Sequence, residues 1–116
     1  MNGIKLELIK ENVAEHENVK MAVRAYKIGA YEVEVEEYEF SNGAGHNRQI
    51  RIRKDFREEY MPDIYHYWRT FGEEIEEFKI QTTSYGTLKP DEIKKVIAGY
   101  EEALAITEIL TEAFCK

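Results

Sequence analysis

The stretch from about Pro90 to Phe114 constrains this chain more than any other, because it reads as one long amphipathic helix whose apolar side has to be covered. Pro90 suits the first helical position, where its missing N–H is one of the donors that a helix start leaves unpaired anyway. Asp91 and Glu92 complement the positive end of the helix dipole. At about 100° per residue, Ile93, Val96, Ile97, Tyr100, Leu104 and Leu110 fall on one side, with Lys94, Glu101, Glu108 and Glu112 opposite. That apolar side is expected to cover a sheet. Beyond Gly99 the apolar arc widens, because Ile106, Ile109 and Ala113 project away from the line of Ile93 and Leu104. The distal half is therefore expected to meet a second surface, either the middle of the chain or the same helix of a second copy. A homodimer through Ile106, Ile109 and Ala113 follows as an expectation.

The remainder of the chain alternates with a period of two. Ile4, Leu6 and Leu8 against Lys5 and Glu7 predict a first strand, and the polar run from Glu11 to Asn18 predicts a loop or a helical turn. Val19, Met21 and Val23 alternate with Lys20 and Arg24. After Gly29 and Ala30, Tyr31, Val33 and Val35 alternate with glutamates, so the two runs predict an antiparallel hairpin. The alternation changes phase at Glu36 and Glu37, where Tyr38 and Phe40 take the parity of the earlier glutamates, and a bulge is the expected cause. Ser41 to Gly45 supplies turn residues, and Gln49 to Arg53 predicts the next strand. From Asp55 to Gly72 two patterns compete. A short helix opening at Pro62 would align Ile64, Tyr67, Trp68 and Phe71, whereas Ile64, His66 and Trp68 would alternate in a strand; the helix is the expectation adopted. Phe78, Ile80 and Thr82 predict a last strand. Strands followed by a helix on one face make an α+β fold: an antiparallel meander of four to five strands with a long C-terminal helix and a short one in the middle.

A chain of 116 residues supports one hydrophobic core, so residues 1–116 are expected to form a single domain. A net charge of −7 argues against direct binding to a nucleic-acid backbone, whose affinity comes largely from Lys and Arg. No window approaches the roughly 18 apolar residues that span a bilayer, and the opening residues lack the apolar run of a signal peptide. With Cys115 as the only cysteine, a reducing, cytoplasmic location is expected.

Motifs for chemistry are sparse. His16, His46 and His66 show no metal-ligand spacing, and no nucleophile elbow is present. No metal, cofactor or catalytic residue is therefore assigned, and the chain is read as non-enzymatic. Two features are left. The first is a run of acids without an intervening base, of which Glu32, Glu34 and Glu36 share one strand face and repel unless cations lie alongside. The second is the basic run of His46, Arg48, Arg51 and Arg53 behind the Gly43–Gly45 turn, which could hold a small anion or nucleotide with Trp68 as a stacking surface. Both depend on one pairing. If Arg51 and Arg53 lie across from Glu32 to Glu36, each set neutralises the other and both readings weaken.

Size, acidity and the lack of catalytic motifs resemble, in composition only, the small accessory or inhibitor proteins of phages and mobile elements, including anti-defence proteins. That resemblance implies a protein partner, such as a nucleic-acid-binding protein that the chain would block. It transfers no functional residue. The expected function is binding to a protein partner through the acidic face, with the anion ligand as the alternative.

Overall fold

The computed structural model describes residues 3–40, 45–55, 57–69 and 72–115, and at residues 45 and 46 the backbone alone. Four ten-residue strands, β1 (Glu7–His16), β2 (Val19–Ile28), β3 (Tyr31–Phe40) and β4 (Gly45–Lys54), form an antiparallel meander in chain order. A separate antiparallel pair, β5 (Ile64–Arg69) and β6 (Ile75–Ile80), follows. The helix α1 (Pro90–Phe114) ends the chain. The α+β architecture expected from the sequence is present. Among the described residues no helix is long and apolar enough to cross a membrane.

The meander is closed by tight turns at Glu17–Asn18 and Gly29–Ala30, each bounded by a ladder pair, His16 with Val19 and Ile28 with Tyr31. Gly29 has φ +57°, and a Cβ there would lie 3.2 Å from Ile106 Cδ1, so the turn needs both the backbone freedom and the small size of glycine. The turn expected at Ser41–Gly45 falls largely on residues 41–44, outside the described residues.

The core occupies one half of one face of the sheet. Ile28, Tyr31, Val33, Val35 and Ile50 cluster there with Met61 and Ile64 of the following segment and with Ala103, Ile106 and Leu110 of α1. Two hydrogen bonds fasten the connecting loop to the sheet: the buried Tyr31 phenol donates to the Pro62 carbonyl, and Lys54 Nζ donates to the Met61 carbonyl at 2.7 Å. The other half of the sheet stands clear of this cluster, which gives the chain its elongated extents of 58 × 35 × 24 Å.

Four local expectations need correction. First, the polar run from Glu11 is strand, because β1 is an edge strand exposed at every position, so polar side chains carry no burial cost and the alternation is lost. Second, no bulge interrupts Glu36–Glu37: β3 pairs in unbroken register with β2 and β4 from Tyr31 to Phe40. The register shift lies between Leu8 and Lys10 of β1. Third, the residues after Pro62 form β5, with Ile64 buried, the His66 side chain 3% exposed and Tyr65 and Tyr67 facing outward, a period of two rather than 3.6. Phe71 lies outside the described residues.

The fourth concerns α1. Its start follows the sequence reading, with Glu92 accepting from the Lys89 N–H at 3.0 Å and from the Tyr60 hydroxyl at 2.9 Å. Its packing is reversed. The buried residues are Gly99, Ala103, Ile106 and Leu110, from the middle of the helix onward, while Ile93, Ile97 and Leu104 are exposed. Small residues explain this. A Cβ at Gly99 would come within 2.4 Å of the Tyr60 carbonyl oxygen, so the backbones of helix and loop approach closely only where a side chain is missing. Ile106, expected at an interface with another copy, is fully buried within the chain itself; Ile109 is partly buried against the same core and Ala113 is exposed.

This contact fixes the sign of a test. At an ordinary helical site Gly→Ala stabilises by about 1 kcal/mol. Gly99→Ala is expected to destabilise by about 1–3 kcal/mol instead, through overpacking against the Tyr60 carbonyl, as measured by urea denaturation. A stabilising effect would show that α1 does not dock on residues 60–61.

Candidate functional site

The unbroken register decides the pairing on which both candidate sites turn. Glu32 lies directly opposite Arg53 and Glu34 opposite Arg51 across β3 and β4. Arg51 Nη1 is 3.5 Å from Glu34 and 3.9 Å from Glu36. The glutamate row and the arginines therefore share one face and offset one another. An uncompensated acidic surface is not present there.

The basic set is also dispersed. Arg48 points to the opposite face of the sheet and pairs with Glu76 of β6, and Arg51 is engaged by the glutamates. Arg53 lines an open cleft of about 420 Å³ with Lys27, Ala30, Glu32, Lys54, Asp55 and Arg57. Hydrogen bonds from the Arg57 guanidinium and backbone N–H hold the Asp55 carboxyl down at about 2. Lys54 is bound to the Met61 carbonyl. This leaves Lys27 and Arg53 beside the charge of Glu32. Trp68 is half-exposed on β5 and takes no part in the cleft. The His46 side chain lies outside the described residues.

On the core side Glu76 forms a polar hub that spacing in the sequence does not reveal. It accepts from Arg48 of β4 and from His66 of β5, whose Nε2 is 2.8 Å away and whose ring packs on Phe78 at 5.2 Å. Burial pushes the Glu76 carboxyl up, but the hydrogen bonds and charges of His66 and Arg48 outweigh it and hold its pKa below the ordinary value. Cys115 lies beside this cluster. Burial and then the neighbouring Glu76 carboxylate push its thiol up, so it stays protonated at neutral pH and is a poor nucleophile. The hub ties the two sheets together. Among the described residues no group of three or more His, Cys, Asp or Glu side chains could hold a metal ion.

The change of phase has a different meaning from a bulge. Because the register is continuous, residues of one parity stay on one face throughout. Ile28, Tyr31, Val33, Val35 and Ile50 face the helix, whereas Val19, Met21, Val23, Tyr38 and Phe40 face away from it. The apolar residues thus move from the inner to the outer face halfway along the sheet. Val19, Met21, Val23 and Tyr38 are half-buried among themselves, and Phe40 is 37% exposed. Glu34, Glu36 and Arg51 border the patch, and the Tyr38 hydroxyl donates to Glu36 at 2.9 Å. The change of parity at Glu36–Glu37 is thus a change of apolar face and not the expected bulge.

The hub generates a pH test. The folded pKa of Glu76 is depressed, so its contribution is complete above the unfolded value near 4.5 and is lost as pH falls through the folded value. Glu76→Gln is expected to cost about 1–3 kcal/mol at neutral pH, with the gap to the parent closing under acid; a gap independent of pH would contradict the assignment. Comparison with known proteins finds no matching family model, no matching curated protein and no matching solved structure, so the roles of these residues rest on their geometry.

Proposed function

We propose that this chain is a small non-enzymatic binding protein, of accessory or inhibitor type, that engages a protein partner through the outer face of its large sheet. One observation carries the reading. Val19, Met21, Val23, Tyr38 and Phe40 form an apolar patch on the face opposite α1 and the β5–β6 pair, where none of the described elements covers it. A patch of this kind, aromatic and aliphatic at its centre and rimmed by charge, has the anatomy of a protein interface. The rim is Glu34, Glu36 and Arg51, two carboxylates largely offset by the one guanidinium between them rather than an acidic field. It therefore supports register and orientation more than long-range attraction. The expected acidic docking surface is accordingly replaced by an apolar one that keeps Glu34 and Glu36 at its edge.

The anion-ligand alternative has less support. Of the four candidate residues whose side chains are described, Arg48, Arg51, Arg53 and Trp68, only Arg53 lines the cleft, and Glu32 and Asp55 line it too.

Photo-crosslinking in cells tests the proposal, with the crosslinker placed at Phe40 and, as a control, at Tyr65 on the outer face of the small sheet. The Phe40 probe is expected to give a discrete adduct with another protein that the Tyr65 probe does not give. Met21→Glu is expected to abolish that adduct without changing the thermal midpoint. Equal labelling from both positions, adducts containing only this chain, or an adduct indifferent to Met21→Glu would contradict it.

A further inference from the structure

The helix carries two apolar lines, and the chain uses one of them. Gly99, Ala103, Ile106 and Leu110 are buried in the core. Ile93, Ile97, Tyr100 and Leu104 follow one another in steps of four, three and four, the spacing of a coiled-coil seam, on an adjacent side of the same helix. Ile93 is 46%, Ile97 53% and Leu104 56% exposed. The half-buried Tyr100 hydroxyl accepts from the Thr83 N–H at 2.9 Å, which holds the ring in place along this line. The chain's own contacts with this part of α1 come from Tyr60 on Glu92 and Thr83 on Tyr100, and Ile93, Ile97 and Leu104 stay exposed beside them.

We propose that a second copy of the chain covers this seam, with the two α1 helices packed antiparallel about a two-fold axis between Ile97 and Tyr100. That register sets Ile93 opposite Leu104 and Ile97 opposite Tyr100 of the other copy, so every apolar residue of the seam meets another one. It also sets Lys94 opposite Glu101, twice by symmetry, on the flank that faces away from the chain's own core. The charges discriminate between arrangements. An antiparallel register shifted one heptad toward the C-terminus would place Ile97 against Thr107 and Glu101 against its own copy. A parallel pairing would place Lys94 against Lys89 and Glu101 against Val96. Only the centred antiparallel register matches both the apolar residues and the charges. The surface differs from the one expected at Ile106, Ile109 and Ala113, and it is independent of the outer face of the sheet.

Sedimentation equilibrium over a micromolar to millimolar range tests this. The full chain is expected to be a dimer, and Leu104→Glu a monomer with an unchanged circular dichroism spectrum. Lys94→Glu brings four like charges together across the two symmetric contacts and is expected to raise the dissociation constant about tenfold. Adding Glu101→Lys reverses both pairs and is expected to restore it, a rescue that a folding defect would not give. A monomeric parent chain, a dimer that Leu104→Glu leaves intact, or a charge reversal without rescue would overturn the proposal.

Discussion

The close approach of α1 to the loop at Tyr60 and Met61 is the contact on which the remaining architecture depends. Gly99 allows the two backbones to meet, and Ala103, Ile106 and Leu110 then reach Ile28, Tyr31, Val33, Val35 and Ile50 of the sheet. The Tyr31 phenol on the Pro62 carbonyl and Lys54 on the Met61 carbonyl hold the loop against the sheet from the other side. Burying these side chains supplies most of the drive to fold, at about 25 cal/mol for each Å² of apolar surface removed from water. The residues involved fill one half of one sheet face and half of one helix.

What the core leaves unused follows from that division. Strands of ten residues extend well past a core that stops near Val35 and Ile50, so the far half of the sheet is free of the inside-outside rule imposed by the helix. There the apolar residues change faces, and Val19, Met21, Val23, Tyr38 and Phe40 gather on the outer side. The line of Ile93, Ile97 and Leu104 on α1 is free in the same sense. The two proposed interfaces are thus parts of the same consequence: both are apolar surfaces that a core of this size and position does not reach. The polar contacts are consistent with this. Arg24 with Glu11 and Glu37, Arg51 with Glu34 and Glu36, and Arg48 with Glu76 are cross-strand or inter-sheet pairs that neutralise charge within the fold.

Much of this was legible from sequence, and the failures have physical causes. The helix start was readable because Pro90, Asp91 and Glu92 act locally, and the β2–β3–β4 meander was readable because Val33, Val35, Ile50 and Ile52 alternate with charges. The same alternation left the pairing of Arg51 and Arg53 open, and the ladder register sets them opposite Glu34 and Glu32. Periodicity reports which face is apolar, however, and not whether the register is intact, so a change of apolar face at Glu36–Glu37 looked like a bulge. An exposed edge strand such as β1 has no buried face and therefore no pattern. In α1 the hydrophobic side chains suggested the wrong contact, because the closest approach is made by Gly99 and Ala103, which contribute little to any apolar count. The Arg48–Glu76–His66 hub joins residues far apart in the chain, and the packing of the β5–β6 pair against β4 brings them together.

The central claim is that the core stabilises one half of the sheet and leaves the other to local cooperativity. Native-state hydrogen exchange, read residue by residue on β2 and β3, tests it most directly. Amides of Ile28, Val33 and Val35 are expected to exchange only through global unfolding, whereas those of Met21, Val23 and Tyr38 exchange through local opening, about tenfold faster or more. Uniform protection from Val19 to Ile28 and from Tyr31 to Phe40 would contradict the account.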